Sequence, residues 1–280
     1  MKNIRLKYLI LLFLGVCSFY TANAQYCYGT TGLLHAPSAN MQEDKTFLFG
    51  GNAIDVATLS RYWSSHSKEY TPFTYNYYIN ITFFPWLEIS YVCTLVKGNY
   101  GSSYWPKHTW GKFVNQDRSF HGRLRIWKEG WWKEWTPQIV LGLNDPGSHE
   151  GNGGGDIDLE GGGKGNHNYL TRYYLAASKH FDFKGIGELG MHTALVIGDA
   201  MGEEYYKGPS AGVNFRFNVN KGESWGYRIL NGLNLIAEYD AKNFNVGGHY
   251  SIWEDRINFV AELNDGKNFC GGIFFKVHLK

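Results

Sequence analysis

The sequence predicts an all-β protein: a transmembrane antiparallel β-barrel of about twelve strands that follows an N-terminal signal peptide. Three observations support this fold class. Apolar and polar residues alternate with a period of two through most of the chain. Long connections alternate with short turns through its first two thirds, as in outer-membrane barrels. Aromatic residues make up 17% and charged residues 19% of the 280 residues, which favours strands over a helical bundle.

The first 24 residues have the organisation of a secretory signal peptide. Lys2, Arg5 and Lys7 form a basic start, residues 8–16 are apolar, and residues 22–24 read Ala-Asn-Ala. We expect cleavage after Ala24. The alternative is an uncleaved anchor, but the apolar run is much shorter than the ~20 residues that a spanning helix needs.

The mature chain is expected to be almost neutral. Cleavage removes three of the 27 Lys and Arg residues and leaves 24 against 25 Asp and Glu, a net charge of about −1. A near-neutral chain gives no electrostatic support for nucleic-acid binding, so no nucleic-acid partner is expected.

Cysteine usage indicates no metal centre. Cys17 lies in the signal peptide, and Cys27, Cys93 and Cys270 remain in the mature chain. Three thiols allow one disulfide at most, and their spacing forms no Cys/His cluster. The pairing stays open, and no cofactor or metal is expected.

The alternating pattern is clearest in residues 74–84, which we expect to form one strand. Its apolar face is formed by Tyr75, Tyr77, Ile79, Ile81 and Phe83. Asn and Thr occupy the opposite face, and Phe84-Pro85 then breaks the pattern before a second alternating run begins. Two such runs joined by a minimal turn predict a β-hairpin.

The same reading extends to twelve strands, with no convincing amphipathic helix between them. The predicted strands are residues 45–56, 74–84, 87–95, 118–129, 135–144, 168–181, 186–199, 209–218, 231–240, 243–251, 256–264 and 268–279. We therefore divide the chain into a signal peptide (1–24), a periplasmic lead-in (25–44) and an outer-membrane barrel (45–280).

Connection lengths predict how the barrel is oriented. Segments 57–73, 98–117 and 145–167 are long, whereas 84–85, 130–134 and 182–185 are short. Counting from a periplasmic N-terminus, every long segment falls on the extracellular side and every short one on the periplasmic side.

Aromatic residues flank two of the predicted short turns. They are Phe83, Phe84 and Trp86 at one turn and Trp127, Trp131, Trp132 and Trp135 at the next. Because both turns should lie on the same side of the membrane, these residues are predicted to form an interface girdle. The alternative is ordinary aromatic packing in a soluble β-core.

Charged residues on the polar faces are predicted to line the barrel lumen. The candidates are Glu88, Arg123, Arg125, Arg216, Glu238, Glu262, Lys276 and His278. Both signs of charge are present, and buried charges need partners or water. Two interpretations remain: the charges form a paired network that fills a narrow lumen, or they line a water-filled path for a hydrophilic solute or glycan.

The sequence offers little support for catalysis. It lacks a Gly-x-Ser-x-Gly elbow, and a barrel hydrolase would need Ser and His paired on the outer surface, for which His192 and His249 stay candidates. Asp156, Asp158 and Glu160 could bind calcium, but a flexible extracellular loop is the better reading. We expect no catalytic residues and no enzyme activity.

Several short motifs follow one another along the chain. Residues 32–39 read Gly-Leu-Leu-His-Ala-Pro-Ser-Ala, and residues 141–145 and 174–179 read Leu-Gly-Leu-Asn-Asp and Tyr-Leu-Ala-Ala-Ser-Lys. Residues 208–212 (Gly-Pro-Ser-Ala-Gly) and 237–240 (Ala-Glu-Tyr-Asp) come after them. Taken in this order, the motifs resemble those of the YjbH-like exopolysaccharide proteins: the first is similar to the family's opening Gly-Leu-x-x-x-Pro-x-Ala, the next two to its central signature, and the last two also match.

The resemblance implies an exported barrel, associated with capsule and exopolysaccharide loci, in the outer membrane of a diderm bacterium. Its expected role is assembly or export of a surface polysaccharide, with membrane lipid, polysaccharide and other export components as partners. We expect glycan stacking on aromatic residues of an outer loop, namely Tyr100, Tyr104, Trp105 and Trp110. The alternatives are a general diffusion channel or structural barrel, a barrel hydrolase and a soluble secreted β-sandwich.

Overall fold

Twelve antiparallel strands form a closed barrel in the computed structural model of the protein. The structure describes residues 28–58, 73–97, 107–109, 112–146, 172–197, 207–219 and 225–279. Each strand pairs with its neighbours in sequence, and β1 closes the ring against β12, from Thr46↔His278 to Ala53↔Gly271. The predicted all-antiparallel β-barrel and its strand number are confirmed, and a single closed ring is not a β-sandwich.

The strand bounds lie close to the predicted ones. The strands are β1 (Thr46–Asp55), β2 (Phe73–Phe84), β3 (Leu87–Lys97), β4 (Phe113–Trp127), β5 (Gln138–Asn144), β6 (Arg172–Phe183), β7 (Gly187–Ile197), β8 (Gly208–Phe217), β9 (Leu233–Tyr239), β10 (Phe244–Ile252), β11 (Ile257–Asn264) and β12 (Asn268–His278). Short 3₁₀ turns occur at Val56–Thr58 and Lys107–Thr109. The largest difference is β4, which begins five residues earlier than predicted.

Within the described ranges, one short helix was not predicted: α1 (Trp225–Asn231), in the connection between β8 and β9. Its seven residues span about two turns, which is too short for a helical period to be recognised in the sequence. No helix in the described ranges combines the length and apolar character needed to cross a membrane.

The barrel is polar inside and apolar outside. In β2, Thr74, Asn76 and Asn80 are buried, whereas Tyr77 and Ile79 are almost half exposed. Apolar side chains are exposed on the outside of the other strands as well, and Phe120 of β4 is 63% exposed. The inner face is mostly polar but also carries buried apolar residues such as Val92 and Phe274. A soluble β-protein places its apolar faces together in the core, so the sidedness here is the reverse of that arrangement.

The two ends of the barrel differ. Residues 85–86 and 184–186 make minimal turns at one end, the turn end, where the connections β4–β5, β8–β9 and β10–β11 also lie. At the opposite end, which we call the loop end, long connections follow β1, β3 and β5, but the connections after β9 and β11 are short. The alternation of loop lengths was predicted for the connections up to β6–β7, where it is found, and it does not continue beyond β8.

All seven described tryptophans lie at the turn end. They are Trp86, Trp127, Trp131, Trp132, Trp135, Trp225 and Trp253. Every one of them is exposed, and Trp131, Trp132 and Trp135 are each about two thirds exposed. The two predicted aromatic turns thus share one end of the barrel.

Candidate functional site: a plugged lumen

Residues 28–42, which we call the plug, lie inside the barrel. Leu34 and Ala39 are completely or almost completely buried, and nearly every other plug residue is buried as well. The sequence analysis placed residues 25–44 ahead of the barrel as a lead-in, but the described part of this segment lies among the interior side chains. The physical reason is that the polar wall offers hydrogen-bond partners for the plug backbone.

The plug follows an irregular path that glycine and a local turn make possible. Leu33 N–H donates to the Ala36 carbonyl (3.1 Å), which bends the chain at its midpoint. Gly29 has a φ of +59°, and a Cβ there would lie 2.8 Å from Val92 and 2.9 Å from Tyr78. Position 29 therefore needs glycine both for its backbone conformation and for the close approach to the wall.

Glu238 of β9 binds the bend of the plug. Its Oε2 accepts hydrogen bonds from the backbone N–H groups of Leu34 (2.9 Å) and Ala36 (3.1 Å), and its Oε1 accepts from His35 N–H (2.7 Å). Asn245 of β10 donates to Oε1 as well (2.9 Å). One buried carboxylate thus satisfies three backbone donors, which would otherwise lose their water partners without compensation.

Two further wall carboxylates hold the plug: Glu262 of β11, and Glu88 of β3 on the opposite side of the ring from Glu238. Glu262 Oε1 lies 2.7 Å from His35 Nε2. Glu88 Oε1 accepts from Thr31 N–H and from Asn80 Nδ2, each at 2.7 Å. Glu88 Oε2 pairs with Arg123 Nη1 at 2.8 Å, and both side chains are completely buried.

Two arginines bind the carbonyl groups of the plug. Arg123 donates from Nη2 to Ser38 O (2.5 Å) and from Nε to Tyr174 OH (2.9 Å). Arg172 donates from Nη1 to His35 O (2.9 Å), and its guanidinium carbon lies 3.5 Å from the centre of the Tyr28 ring. The wall therefore uses carboxylates for plug donors and guanidinium groups for plug acceptors.

Apolar contacts fill the space around these polar anchors. Plug residues Tyr28, Leu33, Leu34 and Ala36 form one buried cluster with wall residues Leu48, Ile54, Tyr78, Val92, Ile236, Val260, Cys270 and Phe274. Ala39 and Met41 form a second cluster with Val140, Tyr174, Ala176, Ala194 and Val196. With the plug in place, this part of the lumen is packed like a protein core.

Two Ser–His–Asn sets occur on the inner wall. In the first, Ser119 Oγ lies 3.0 Å from His121 Nε2, and Asn144 Nδ2 lies 2.9 Å from His121 Nδ1. Arg172 donates to Asn144 Oδ1 (2.9 Å), which fixes the amide so that its Nδ2 faces the ring. His121 Nδ1 must then accept, and Nε2 donates to Ser119, so His121 cannot act as a base for that serine.

In the second set, Ser178 Oγ lies 2.8 Å from His192 Nδ1, and His192 Nε2 lies 2.7 Å from Asn214 Oδ1. Ser178 is completely buried, and its Oγ accepts a hydrogen bond from Ala39 N–H of the plug (2.7 Å). Gln138 Nε2 donates to the carbonyl of the same plug residue. The second set therefore anchors the plug and lies inside the barrel, whereas the sequence analysis considered a pair on the outer surface.

The other predicted lumen residues lie closer to the turn end and bind wall neighbours. Arg216 pairs with Glu188 (2.6 Å), and Lys276 pairs with buried Asp255 (2.5 Å). Arg125 Nη1 lies 3.5 Å from Gln138 Oε1, and exposed His278 lies 3.2 Å from Thr46 Oγ1. Of the eight predicted residues, Glu88, Arg123, Glu238 and Glu262 are those that the structure brings together around the plug.

Several predictions fall on residues that the structure does not describe. They are the stacking candidates Tyr100, Tyr104, Trp105 and Trp110, the acidic residues Asp156, Asp158 and Glu160, and Cys27. Cys93 and Cys270 are both buried thiols and are not paired with each other. Across the described ranges, no group of three or more His, Cys, Asp or Glu residues is placed to hold a metal ion.

Sequence reasoning missed the plug, including its residues Tyr28 and His35, and missed the wall partner Arg172. One signal was available: residues 28–42 precede the first strand, mix apolar and polar residues and show no period of two. A segment rich in apolar residues but without strand periodicity could have been recognised as a separate packed element.

The comparison with known families supports the resemblance seen in the sequence. Residues 24–150 match the profile of the YjbH family, described as exopolysaccharide biosynthesis protein YbjH. The matched region contains the whole plug and strands β1–β5, whereas the motifs at 174–179, 208–212 and 237–240 lie beyond it. No curated protein matches the chain.

Proposed function

We propose that this protein is an outer-membrane barrel that assists the assembly or export of an exopolysaccharide or capsule and catalyses no reaction. The observation that carries the proposal is the family match over residues 24–150 in a chain that folds as a closed barrel. Exopolysaccharides of diderm bacteria must cross the outer membrane, and closed barrels are the β-structures able to reside there.

The outer surface supports a membrane location. Its exposed aliphatic and aromatic side chains suit contact with lipid, and exposed tryptophans at the turn end suit a membrane–water interface. We expect cleavage of the signal peptide after Ala24 and insertion with the turn end facing the periplasm.

The interior supports a role without catalysis. Ser178, which has a histidine partner, is covered by Ala39, and the orientation of Asn144 makes His121 a donor toward Ser119. We infer that both Ser–His–Asn sets stabilise the wall and the plug. Turnover of lipid or glycan by the purified barrel would refute this inference and favour the barrel hydrolase.

A gene deletion with complementation tests the proposed role. We expect the deletion strain to lose surface polysaccharide and the wild-type gene to restore it. Fractionation should recover the protein in the outer membrane, with a mobility shift on boiling in a detergent gel. An unchanged amount of surface polysaccharide in the deletion strain would contradict the proposal.

The glycan-stacking hypothesis has its own test within the same assay. We expect Trp105→Ala with Trp110→Ala to reduce glycan binding or export, because sugar rings pack against exposed aromatic faces. Trp225→Ala serves as the control, since Trp225 is an exposed tryptophan at the turn end. Unchanged binding and export in the double variant would remove the hypothesis.

A general diffusion channel is the second candidate, and the plug argues against it. Residues 28–42 occupy the lumen and pack against both sides of the wall. We therefore expect the wild-type barrel to conduct poorly in planar bilayers. Steady porin-like conductance, insensitive to added glycan, would favour the channel.

A further inference from the structure

We propose that the plug is a gate, and that the wall groups it covers form a binding site for a hydroxyl-rich polysaccharide chain when it withdraws. The inference rests on the proposed function and adds the site and the control of access to it.

The barrel closes without the plug. All twelve strand pairings join β1–β12 to one another, and residues 28–42 take part in none of them. The plug continues into β1 through residues 43–45, where Lys45 N–H bonds to Thr82 O (2.7 Å). Withdrawal of the plug would therefore leave all twelve strand pairings of the barrel intact.

The contacts between plug and wall involve side chains of the wall. Glu88 and Glu238 bind backbone N–H groups, and Arg123 and Arg172 bind backbone carbonyls. Such contacts can be exchanged for other donors and acceptors of similar geometry, whereas strand-to-strand ladders cannot be exchanged without opening the barrel.

The covered groups have the chemistry that recognises sugar hydroxyls. A hydroxyl donates one hydrogen bond and accepts others, so it can satisfy both carboxylates and guanidinium groups. Carboxylates of Glu88, Glu238 and Glu262 face the plug together with Arg123 and Arg172. A polyhydroxylated chain therefore offers the same mixture of donors and acceptors as the plug backbone.

The wall also carries buried polar atoms to which the plug makes no hydrogen bond. Glu262 Oε2 and Tyr78 OH are buried and have no hydrogen-bond partner among the residues that the structure describes. Buried polar atoms are normally paired, because an unpaired one loses its hydration without compensation. The plug thus satisfies only part of the wall, and a hydroxyl donor would complete Glu262.

Two of the wall carboxylates would keep wall partners after withdrawal. Glu88 retains Arg123 and Asn80, and Glu238 retains Asn245. These two carboxylates therefore stay anchored to the wall and face the space that the plug has left.

A reversible disulfide tests the gate in cells. Ala39 N lies 2.7 Å from Ser178 Oγ, so Ala39→Cys with Ser178→Cys brings two thiols close between plug and wall. We expect the oxidised double variant, expressed in the deletion strain, to leave surface polysaccharide at the deletion level. Reductant should restore it, whereas the export by each single-cysteine variant should not depend on the presence of reductant.

The same experiment separates the gate from the proposed function. Normal export by the oxidised double variant, with the cross-link verified on a non-reducing gel, would overturn the gate and leave the export role standing. A deletion strain with normal polysaccharide would instead overturn the export role, and the gate would then be decided in bilayers.

Bilayer recordings test the gate and the site with purified protein. We expect the double-cysteine barrel, which keeps its plug, to show openings with reductant and none with oxidant. Equal behaviour under both conditions would overturn the gate. A variant with residues 28–42 replaced by a Gly-Ser stretch of equal length, checked for folding by heat-modifiability, should conduct continuously.

A dextran oligosaccharide is the probe for the site. We expect it to block the current of the Gly-Ser variant, and Glu238→Gln with Glu262→Gln to weaken this block by about tenfold or more, as expected for lost charge-assisted hydrogen bonds. The matched control is Glu188→Gln, a wall carboxylate that pairs with Arg216 away from the plug. No block, or a block equally strong in all three proteins, would overturn the glycan site.

Discussion

The buried pair Glu88–Arg123 allows a quantitative test of how the interior is held together. We predict that Arg123→Met destabilises the barrel by about 3–5 kcal/mol, because it leaves the buried Glu88 carboxylate without its counter-ion. The change also removes the hydrogen bonds to Ser38 O and Tyr174 OH, so the upper part of this range is expected. Methionine fills much of the volume of the arginine stem, which limits the cavity.

Two comparisons isolate the electrostatic origin of the loss. Adding Glu88→Gln to Arg123→Met should recover part of the stability, because the amide has no net charge and can still accept from Thr31 N–H. Lys267→Met removes one partner of the exposed pair Lys267–Asp265 (3.0 Å) and should cost less than about 1 kcal/mol. The two Arg/Lys→Met changes thus differ chiefly in burial.

The assay is urea unfolding of the detergent-folded barrel, followed by tryptophan emission and by the fraction of folded protein on an unboiled gel. The reasoning would be refuted if Arg123→Met lost no more stability than Lys267→Met. Glu88→Gln alone is measured as well. The reasoning would also be refuted if the loss of stability in the double variant equalled the sum of the losses in Arg123→Met and Glu88→Gln, because the two charges would then not be coupled.

Three further predictions concern the plug and the turn end. Gly29→Ala should destabilise the barrel by about 1–3 kcal/mol more than Gly130→Ala in the same urea assay. Both glycines have positive φ, but a Cβ at 29 meets Val92 and Tyr78, whereas one at 130 meets nothing within 4 Å, and equal losses would contradict this. Burial alone would raise the pKa of Glu129, in the β4–β5 turn, but hydrogen bonds from His180 and Lys179 outweigh it and lower the pKa to about 2. This carboxylate should therefore stabilise the turn above pH ~4.5 and lose that effect as the pH falls toward 2. A pH titration of tryptophan emission should show a transition in this window that Glu129→Gln removes, and a transition that persists in the variant would count against the assignment. In bilayers, brominated lipid should quench emission from Trp131, Trp132 and Trp135. Replacing all three by Ala should reduce the quenching, and unchanged quenching would place the β4–β5 turn away from lipid.

The strands and their faces could be predicted from the sequence because each depends on local order. A period of two places neighbouring side chains on opposite faces of any strand. Tyr77 and Ile79 therefore had to share a face opposite Asn76 and Asn80, whatever the rest of the chain did. Short turns such as 85–86 then forced consecutive strands to pair.

Helix α1 and the full length of β4 could not be predicted from local periodicity. The helix Trp225–Asn231 has only seven residues, which is too short for a helical period to be recognised in the sequence. Residues that precede the clear alternation of β4 join the strand because β3 pairs with them, as in Val96↔Asn115. Pairing with a neighbour extended the strand where local periodicity gave no signal.

By itself, the sequence determined the antiparallel barrel, the alternation of faces along its strands, and four of the charged residues that meet around the plug: Glu88, Arg123, Glu238 and Glu262. Only the tertiary structure decided what occupies the lumen. Thr31 lies 57 positions from Glu88 and Leu34 lies 204 positions from Glu238, and no spacing in the chain relates them. The plug enters the barrel because its backbone donors and acceptors find carboxylates and guanidinium groups that ring closure brings together, so its place is a property of the assembled wall.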